Sequence, residues 1–589
     1  MPFLPVKLEE LGGKAPDFVL LTTEAYVDHP SFGHAIIGRL VESKGFTVAI
    51  LPQPQSDADY RRFGSPSYGF LVSGGAVDSM VNNYTVAKNK RSRDEYSEGG
   101  ATGRRPDRAV TVYSKNLKRL FPNVPVIIGG MEASLRRFAH YDYWADKVMP
   151  SILVDSLADL LIYGMGERPM WDILALIAKG VPIKSIKDVA GTAYLLDYNT
   201  LSDTKKATFS ADYAFCPSFE DTVRDKKQFM KAYKAQTANA NYLSSRPLAQ
   251  KTGERYVIAN VPQKPLTSTE LDGVYALPFM GDPHPMYAGG VPSIEEVRFS
   301  VTAQRGCFGN CSYCALCYHQ GRSISKRSKD SIVLEVKKLS ERPDFKGYIH
   351  DIGAPTANFR NPSCDKQLTH GVCPNKQCIG TEVCENLKVD HSEYLDILRT
   401  CRALPNIKKV FIRSGVRFDY VMLDKNQDFI KELIEHHVSG QLKVAPEHSV
   451  PEVLRLMNKP DFAVFKAFSK RFYDISARAG KEQYLVPYLI SSHPGCTEED
   501  ALKLTDYLRE ARCVPEQVQD FYPTPSTRST AMFYCETDMD GTPIFVAKSG
   551  EEKKKQRALL QYGKPQNQKV FAQANLKRER YTKPKKGGK

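Results

Sequence analysis

The sequence predicts an α/β protein: an N-terminal doubly wound parallel sheet followed by a partial (β/α)6 barrel of the TIM type. Three observations predict it. Short apolar runs alternate with amphipathic stretches in two separate regions of the 589-residue chain. In the first region the later runs end in glycines. In the second, six strand–helix units follow one another in order. A chain of this length holds about two to four domains, each with ample core.

In the first region "DFVLLTTEAYV" reads as a strand and "SFGHAIIGRLVESKG" as an amphipathic helix closed by Gly45. "FTVAILPQP", "YGFLVSGG", "VPVIIGGMEAS" and "ADLLIYGMGE" supply further strands. Gly74, Gly75, Gly129, Gly130, Gly164 and Gly166 then fall at the carboxyl edge, where doubly wound sheets hold ligands. Ordinary turn chemistry accounts for each glycine alone; the successive strand–glycine endings point to a crevice and name no ligand. Residues 88–108 are charged and glycine-rich and read as a long surface loop. This domain is placed at 1–215, with a bridging segment over 216–290.

The barrel is placed at 291–540. "EVRFSVTAQRG" is its first strand, followed by a cysteine loop and the helix "SKDSIVLEVKKLSER". The next strands are "KGYIHDIGAPTAN", "KKVFIRSGVRFDYV", "GQLKVAPEHS", "KEQYLVPYLISSHPG" and "VPEQVQDFYPTPST", with a helical stretch after each but the last. A Cys-rich insertion occupies 360–390, and 541–589 reads as a basic, flexible tail. Residues 551–589 hold 13 Lys and Arg against 3 Asp and Glu, a net of +10 out of +15 for the whole chain. The body is therefore not a strongly basic nucleic-acid binder. The tail is either a solubilising terminus or a handle for a polyanion.

No apolar run is long enough to span a bilayer, so no membrane partner is expected. The N-terminus lacks the charged and then apolar pattern of an export signal, which gives an expected cytoplasmic location. There a chain with 13 cysteines uses them for metal or redox chemistry rather than for a disulfide framework.

"RGCFGNCSYCALC" places Cys307, Cys311, Cys314 and Cys317 within eleven residues, with Tyr313 just before the third. Structural zinc takes four N/S ligands in a closed tetrahedron, often as two separated pairs. Three thiolates bunched on one loop suit an iron–sulfur cluster with one iron left open. Cys364, Cys373, Cys378 and Cys384 form a second set, C-x8-C-x4-C-x5-C. A second iron–sulfur cluster and a structural zinc are both open for it. Cys216, Cys401, Cys513 and Cys535 read as core residues.

The C-x3-C-x-aromatic-C loop after a first barrel strand resembles that of the radical S-adenosylmethionine (radical SAM) superfamily. Together with "DHPSFGHAIIGRL", "IIGGMEASLRRFAHYDYW", "GAPTAN", "KVAPEHS" and "SSHPGC", it resembles the YgiQ-type radical SAM proteins over nearly the whole length. The resemblance implies a 4Fe–4S cluster on Cys307, Cys311 and Cys314. It implies S-adenosylmethionine on the open iron, cleaved by an electron from the cluster to methionine and a 5′-deoxyadenosyl radical. That radical abstracts hydrogen from a substrate the resemblance does not name. A reducing electron donor such as a flavodoxin or ferredoxin is implied as partner. By the same resemblance Gly353 and Ala354 meet the amino group of S-adenosylmethionine, Arg413 and Arg417 hold its carboxylate or make structural ion pairs, and Glu447 binds ribose hydroxyls or substrate. The N-terminal domain resembles the cobalamin-binding domain that precedes many such barrels. The cobalt-ligating D-x-H-x-x-G is not met, because His29 directly follows Asp28, and cobalamin is not expected. Two rival readings are methylthiolation of RNA or protein, and a non-catalytic iron–sulfur electron carrier.

Overall fold

In the computed structural model, residues 2–515 and 517–582 are described. The N-terminal sheet is built from β1 (Phe18–Thr22), β2 (Val48–Pro52), β3 (Gly69–Ser73), β4 (Val126–Gly129) and β5 (Leu160–Ile162). All neighbours among these five are parallel. The strands are buried along most of their length, which is why they read as unbroken apolar runs. Alternate residues feed opposite faces. Val19, Leu21, Phe70 and Val72 pack beneath α2 (Ala109–Leu120). Phe18, Leu20, Leu71 and Ile127 pack against α1 (Gly33–Ser43) and α4 (Glu167–Ala178). Between these helices α3 (Gly130–Leu135) follows β4 directly.

The sheet runs on past the boundary expected at 215. β6 (Thr192–Asp197) pairs antiparallel with β5. Beyond it lie β7 (Ala214–Phe215), β8 (Leu248–Thr252) and β9 (Arg255–Ala259), giving the order β7-β8-β9-β6-β5-β4-β3-β1-β2. The β8–β9 hairpin comes from the segment expected to bridge the domains. Its Leu248, Val257 and Ala259 are part of the sheet core, so the bridge is shorter than its mixed composition suggested.

The second region is an arc of parallel strands in chain order. β10 (Ser300–Thr302) pairs with β12 (Asp351–Gly353), and β11 (Tyr348–Ile349) with β13 (Lys409–Val410). β14 (Gln441–Glu447), β15 (Tyr484–Ser491) and β16 (Gln519–Asp520) complete it. The cysteine loop continues into α6 (Leu316–Gln320), which follows α5 (Lys226–Ala238) in the chain. The core joins Val301, Ile352, Val410 and Val444 to the helices outside. The third predicted strand is shorter than expected: after Val410 the chain turns, and Phe418–Leu423 is helical.

The expected flexible tail is largely helical over its described part. Helices span Gly550–Leu560 and Gln568–Thr582. Leu559, Leu560 and Ala574 are buried, and residues 583–589 lie outside the described residues. No helix among the described residues is long and apolar enough to cross a membrane.

Candidate iron–sulfur and S-adenosylmethionine site

The cysteine loop leaves the barrel after β10 and is shaped by residues that no side chain could replace. Gly306 has φ +85°, and a Cβ there would lie 2.0 Å from the Ser323 carbonyl oxygen. At Gly309 a Cβ would lie 2.6 Å from Arg417 Nη1, so glycine opens the path by which Arg417 reaches the loop. Phe308 anchors it, stacked on Phe359 at 3.7 Å between centroids. Asn458 Nδ2 donates to the carbonyls of Gly309 and Asn310, both at 3.1 Å.

This folding gathers the thiols. Cys307 is buried, and Cys311 and Cys314 are partly so. The Cys317 thiol donates to the Cys307 carbonyl at 3.2 Å and lies within reach of the sulfurs of Cys307 and Cys314. Its donation, with a second from Thr356, draws the Cys307 thiol down to about 6, and it lowers Cys314 as well. Cys317 itself is pushed well above the usual thiol range by the same contacts. Cys307 and Cys314 are thus both shifted toward the thiolate, the state that binds metal, with Cys317 beside them. Burial raises Cys311, against the opposing pull of Lys459 and Arg417. Among the described residues no three His, Cys, Asp or Glu side chains converge on a single ion. A cubane does not require that convergence, because each thiolate binds a different iron. The donor set fits such a cluster.

Of the other expected residues, Arg417 takes the structural ion pair that was the alternative to carboxylate binding. Arg417 does not present a free fork to a cofactor carboxylate. Its Nε and Nη2 are taken by the two Asp419 oxygens at 2.8 and 2.5 Å, and Nη1 donates to Cys311 Sγ at 3.5 Å. Asn358, the last residue of GAPTAN, fixes it by accepting the Arg417 N–H at 2.9 Å. The Arg413 side chain is exposed, and its backbone N–H binds Asp351 at 2.8 Å. Gly353 is buried where a Cβ would meet Ser414 Oγ and Asp351 Oδ2 at 2.0 and 2.1 Å. Ala354 is half-buried beside it. From the same turn, Thr356 Oγ1 lies 3.3 Å from Cys307 Sγ. Glu447 is buried at φ +68°, a costly backbone state for a non-glycine residue. Tyr313 donates to it at 2.6 Å, and Lys459 Nζ lies 3.8 Å away. Burial raises the Glu447 carboxyl above its ordinary range, against the pull of Lys459.

The second cysteine set sits on a loop held by polar side chains. Arg322 binds the carbonyls of Cys373 and Lys376, each at 2.8 Å. Cys378 Sγ contacts Ser363 Oγ at 3.3 Å, and Cys373 is exposed. Among the described residues the four thiols do not converge on one ion, and an iron–sulfur cluster and a zinc both remain open for them.

Two cavities meet at the loop. One, of about 180 Å3, is lined by Cys311, Cys314 and Cys317 together with Arg137, Tyr233 and Cys373. The other, of about 320 Å3, lies between the N-terminal sheet edge and α6. Gly75, Gly129, Gly130, Gly164 and Gly166 line it, so the glycine-edged crevice expected from the sequence is present. Gly164, Met165, His319 and Gln320 border both cavities.

The sequence profile of the Radical SAM N-terminal family matches residues 1–300, and that of a domain of unknown function (DUF3362) matches 516–581. A UPF0313 protein of Clostridium botulinum (strain Okra / Type B1) is 52% identical, over 98% of this chain and 90% of its own. The chain belongs to the UPF0313 family of radical SAM proteins. A second UPF0313 relative, from Clostridium perfringens (strain SM101 / Type A), is 49% identical over 98% of this chain and 87% of its own. Among solved structures, the radical S-adenosylmethionine methyltransferase TsrM from Kitasatospora setae, with cobalamin and a 4Fe–4S cluster bound, aligns with TM-score 0.48. Its identity is 13%, over 86% of this chain and 76% of that one. The cobalamin-dependent S-adenosylmethionine radical enzyme OxsB, with aqua-cobalamin bound, aligns with TM-score 0.45 and 10% identity, over 91% and 58% of the two chains. In this UPF0313 chain His29 is buried, its Nδ1 accepting the Ser31 N–H at 3.1 Å. Burial, with Arg342 and Arg298 nearby, lowers it to about 3.

Several residues of the site carried no signal in the sequence. Asp419 and Lys459 lie outside any motif. Glu167 and Arg305 form a buried ion pair across 138 residues, joining α4 to the start of the cysteine loop. His319 follows the loop and bonds Ser134 of α3 at 3.0 Å. Only "RGC" and "YGMGE" hinted at the Glu167–Arg305 pair, by placing a charge beside each glycine turn.

Proposed function

We propose that this chain binds a 4Fe–4S cluster on Cys307, Cys311 and Cys314 and reductively cleaves S-adenosylmethionine to abstract hydrogen from a substrate. The observation that carries this reading is Cys311 and Cys314 lining a cavity, with Cys307 held on the same loop by Cys317 and Thr356, in a member of a radical SAM family. When bound, the cluster supplies the electron that splits the sulfonium to methionine and a 5′-deoxyadenosyl radical. The chain's own residues prepare the place. Cys317 and Thr356 hold Cys307 toward the thiolate form. Arg417 and Lys459 set positive charge near Cys311, which favours the more negative, reduced state of a cluster. The Gly353–Ala354 turn and Glu447 flank the loop as candidate contacts for S-adenosylmethionine. A flavodoxin or ferredoxin is the proposed source of the electron, and the cytoplasm the proposed location.

The test is anaerobic. Reconstituted protein with dithionite and S-adenosylmethionine is expected to release 5′-deoxyadenosine and methionine, and the Cys307→Ala, Cys311→Ala, Cys314→Ala variant neither. An intact cluster that leaves S-adenosylmethionine whole would overturn the enzyme reading in favour of an electron carrier.

A further inference from the structure

We infer that the 320 Å3 cavity between the N-terminal sheet edge and α6 binds a compact, mostly apolar molecule that carries an N–H or O–H donor. Its walls are aliphatic: Leu20, Ile37, Leu71, Ile128 and Met170 come from the sheet and its helices. Apolar walls of this kind give affinity with little direction, and a few polar groups set orientation. Two such groups are present. Glu167 and Gln304 both line the cavity and are 2% and 0% exposed. Each keeps a side-chain oxygen without a hydrogen-bond partner among the described residues, Glu167 Oε2 and Gln304 Oε1. Their other atoms are committed: Glu167 Oε1 to Arg305, and Gln304 Nε2 to the carbonyls of Thr356 and Ala357 at 3.3 and 2.9 Å. Neither side chain can turn away to satisfy its free oxygen without breaking those bonds. A buried acceptor left unpaired costs free energy, and a donor brought by a ligand removes that cost.

The position of the cavity says what such a ligand would be for. It lies along α6, which begins two residues beyond Cys314, and shares His319 and Gln320 with the cavity lined by Cys311 and Cys314. On the proposed radical SAM reading, and resting on it, the molecule held here is the substrate.

The probe is 2-naphthol, with 2-methoxynaphthalene as a ring of similar size that lacks the donor. Each is titrated by equilibrium dialysis into the anaerobically reconstituted protein, without S-adenosylmethionine or reductant. Retention of 2-naphthol at least about tenfold tighter than its methyl ether is expected, since a missing donor leaves buried acceptors unpaired. Ile37→Trp, which fills the cavity from half-buried α1, is expected to weaken 2-naphthol by about tenfold or more. It should leave the cluster's EPR signal and substrate-free cleavage of S-adenosylmethionine unchanged. Ser31→Trp, at an exposed position on the cavity rim, repeats the test should Ile37→Trp fail to fold. Equal binding of the two probes, or 2-naphthol binding that survives both variants, overturns the proposal. Absence of S-adenosylmethionine cleavage in the wild type, with probe binding intact, counts against the radical reading alone.

Discussion

Cys317 and Arg417 show how much one side chain decides at this site. Cys317 stands three residues beyond the third cysteine of the motif, yet it lowers both Cys307 and Cys314. Cys317→Ala is therefore expected to keep iron near the wild-type level. Joint replacement of Cys307, Cys311 and Cys314 should remove about four irons per chain. Iron analysis and the EPR spectrum of the reduced protein separate the outcomes, and loss of the cluster in Cys317→Ala would make it a fourth ligand. Arg417 is buried with Asp419. Arg417→Met strands that carboxylate in the interior and should cost about 3–5 kcal/mol, as removal of one partner of a buried pair does. Adding Asp419→Asn should return much of the loss, which denaturant titration of the two variants will read.

At the scale of the element, the Cys-rich loop after β12 is the least settled part of the barrel. A second iron–sulfur cluster is the proposed occupant of its four thiols, with a structural zinc as the alternative. Metal analysis of the triple variant should find residual iron with labile sulfide. Finding neither iron nor zinc in protein purified without oxygen or chelator would return Cys364, Cys373, Cys378 and Cys384 to ordinary thiols. Elements were legible wherever one local pattern dominated. β1 to β5 are apolar on both faces, and the first cysteine motif is contiguous. The segment after Val410 misled because "VRFDYV" carries strand-type residues, while Phe418, Tyr420 and Val421 bury on one short helix. The tail misled because its many Lys and Arg residues hid Leu559, Leu560 and Ala574, which pack inward. The Glu167–Arg305 pair was illegible for another reason: its members lie 138 residues apart and meet only once both domains are built.

Across the whole molecule, the N-terminal sheet and the barrel are joined by bonds from opposite ends of the chain. Ser526 donates to the Leu135 carbonyl at 2.7 Å, and Tyr522 to those of Met80 and Tyr84, each at 3.2 Å. Lys553, on the first C-terminal helix, donates to Tyr143 Oη at 2.8 Å and lies over the Tyr143 ring. Burial there lowers the Lys553 ammonium to about 8, from 10.5. The folded state thus gives up this proton before the unfolded chain does, and Lys553 should add stability as pH rises from about 8 toward 10.5. Comparing unfolding of wild type and Lys553→Met between pH 7 and about 9.5 should show the wild type gaining relative to the variant. A constant difference would mean that the lysine does not titrate in that window.

Tyr143 and Lys553 stand 410 residues apart in the chain. A ribosome adding about 5–20 residues per second delivers the sheet and the cysteine loop long before it delivers that lysine. Domains fold as they emerge, N-terminal first, so the nascent protein passes through a stage in which the thiols exist but the final latch does not. Synthesis order thereby makes the Tyr143–Lys553 contact the last to form, after both of the domains it ties together have emerged.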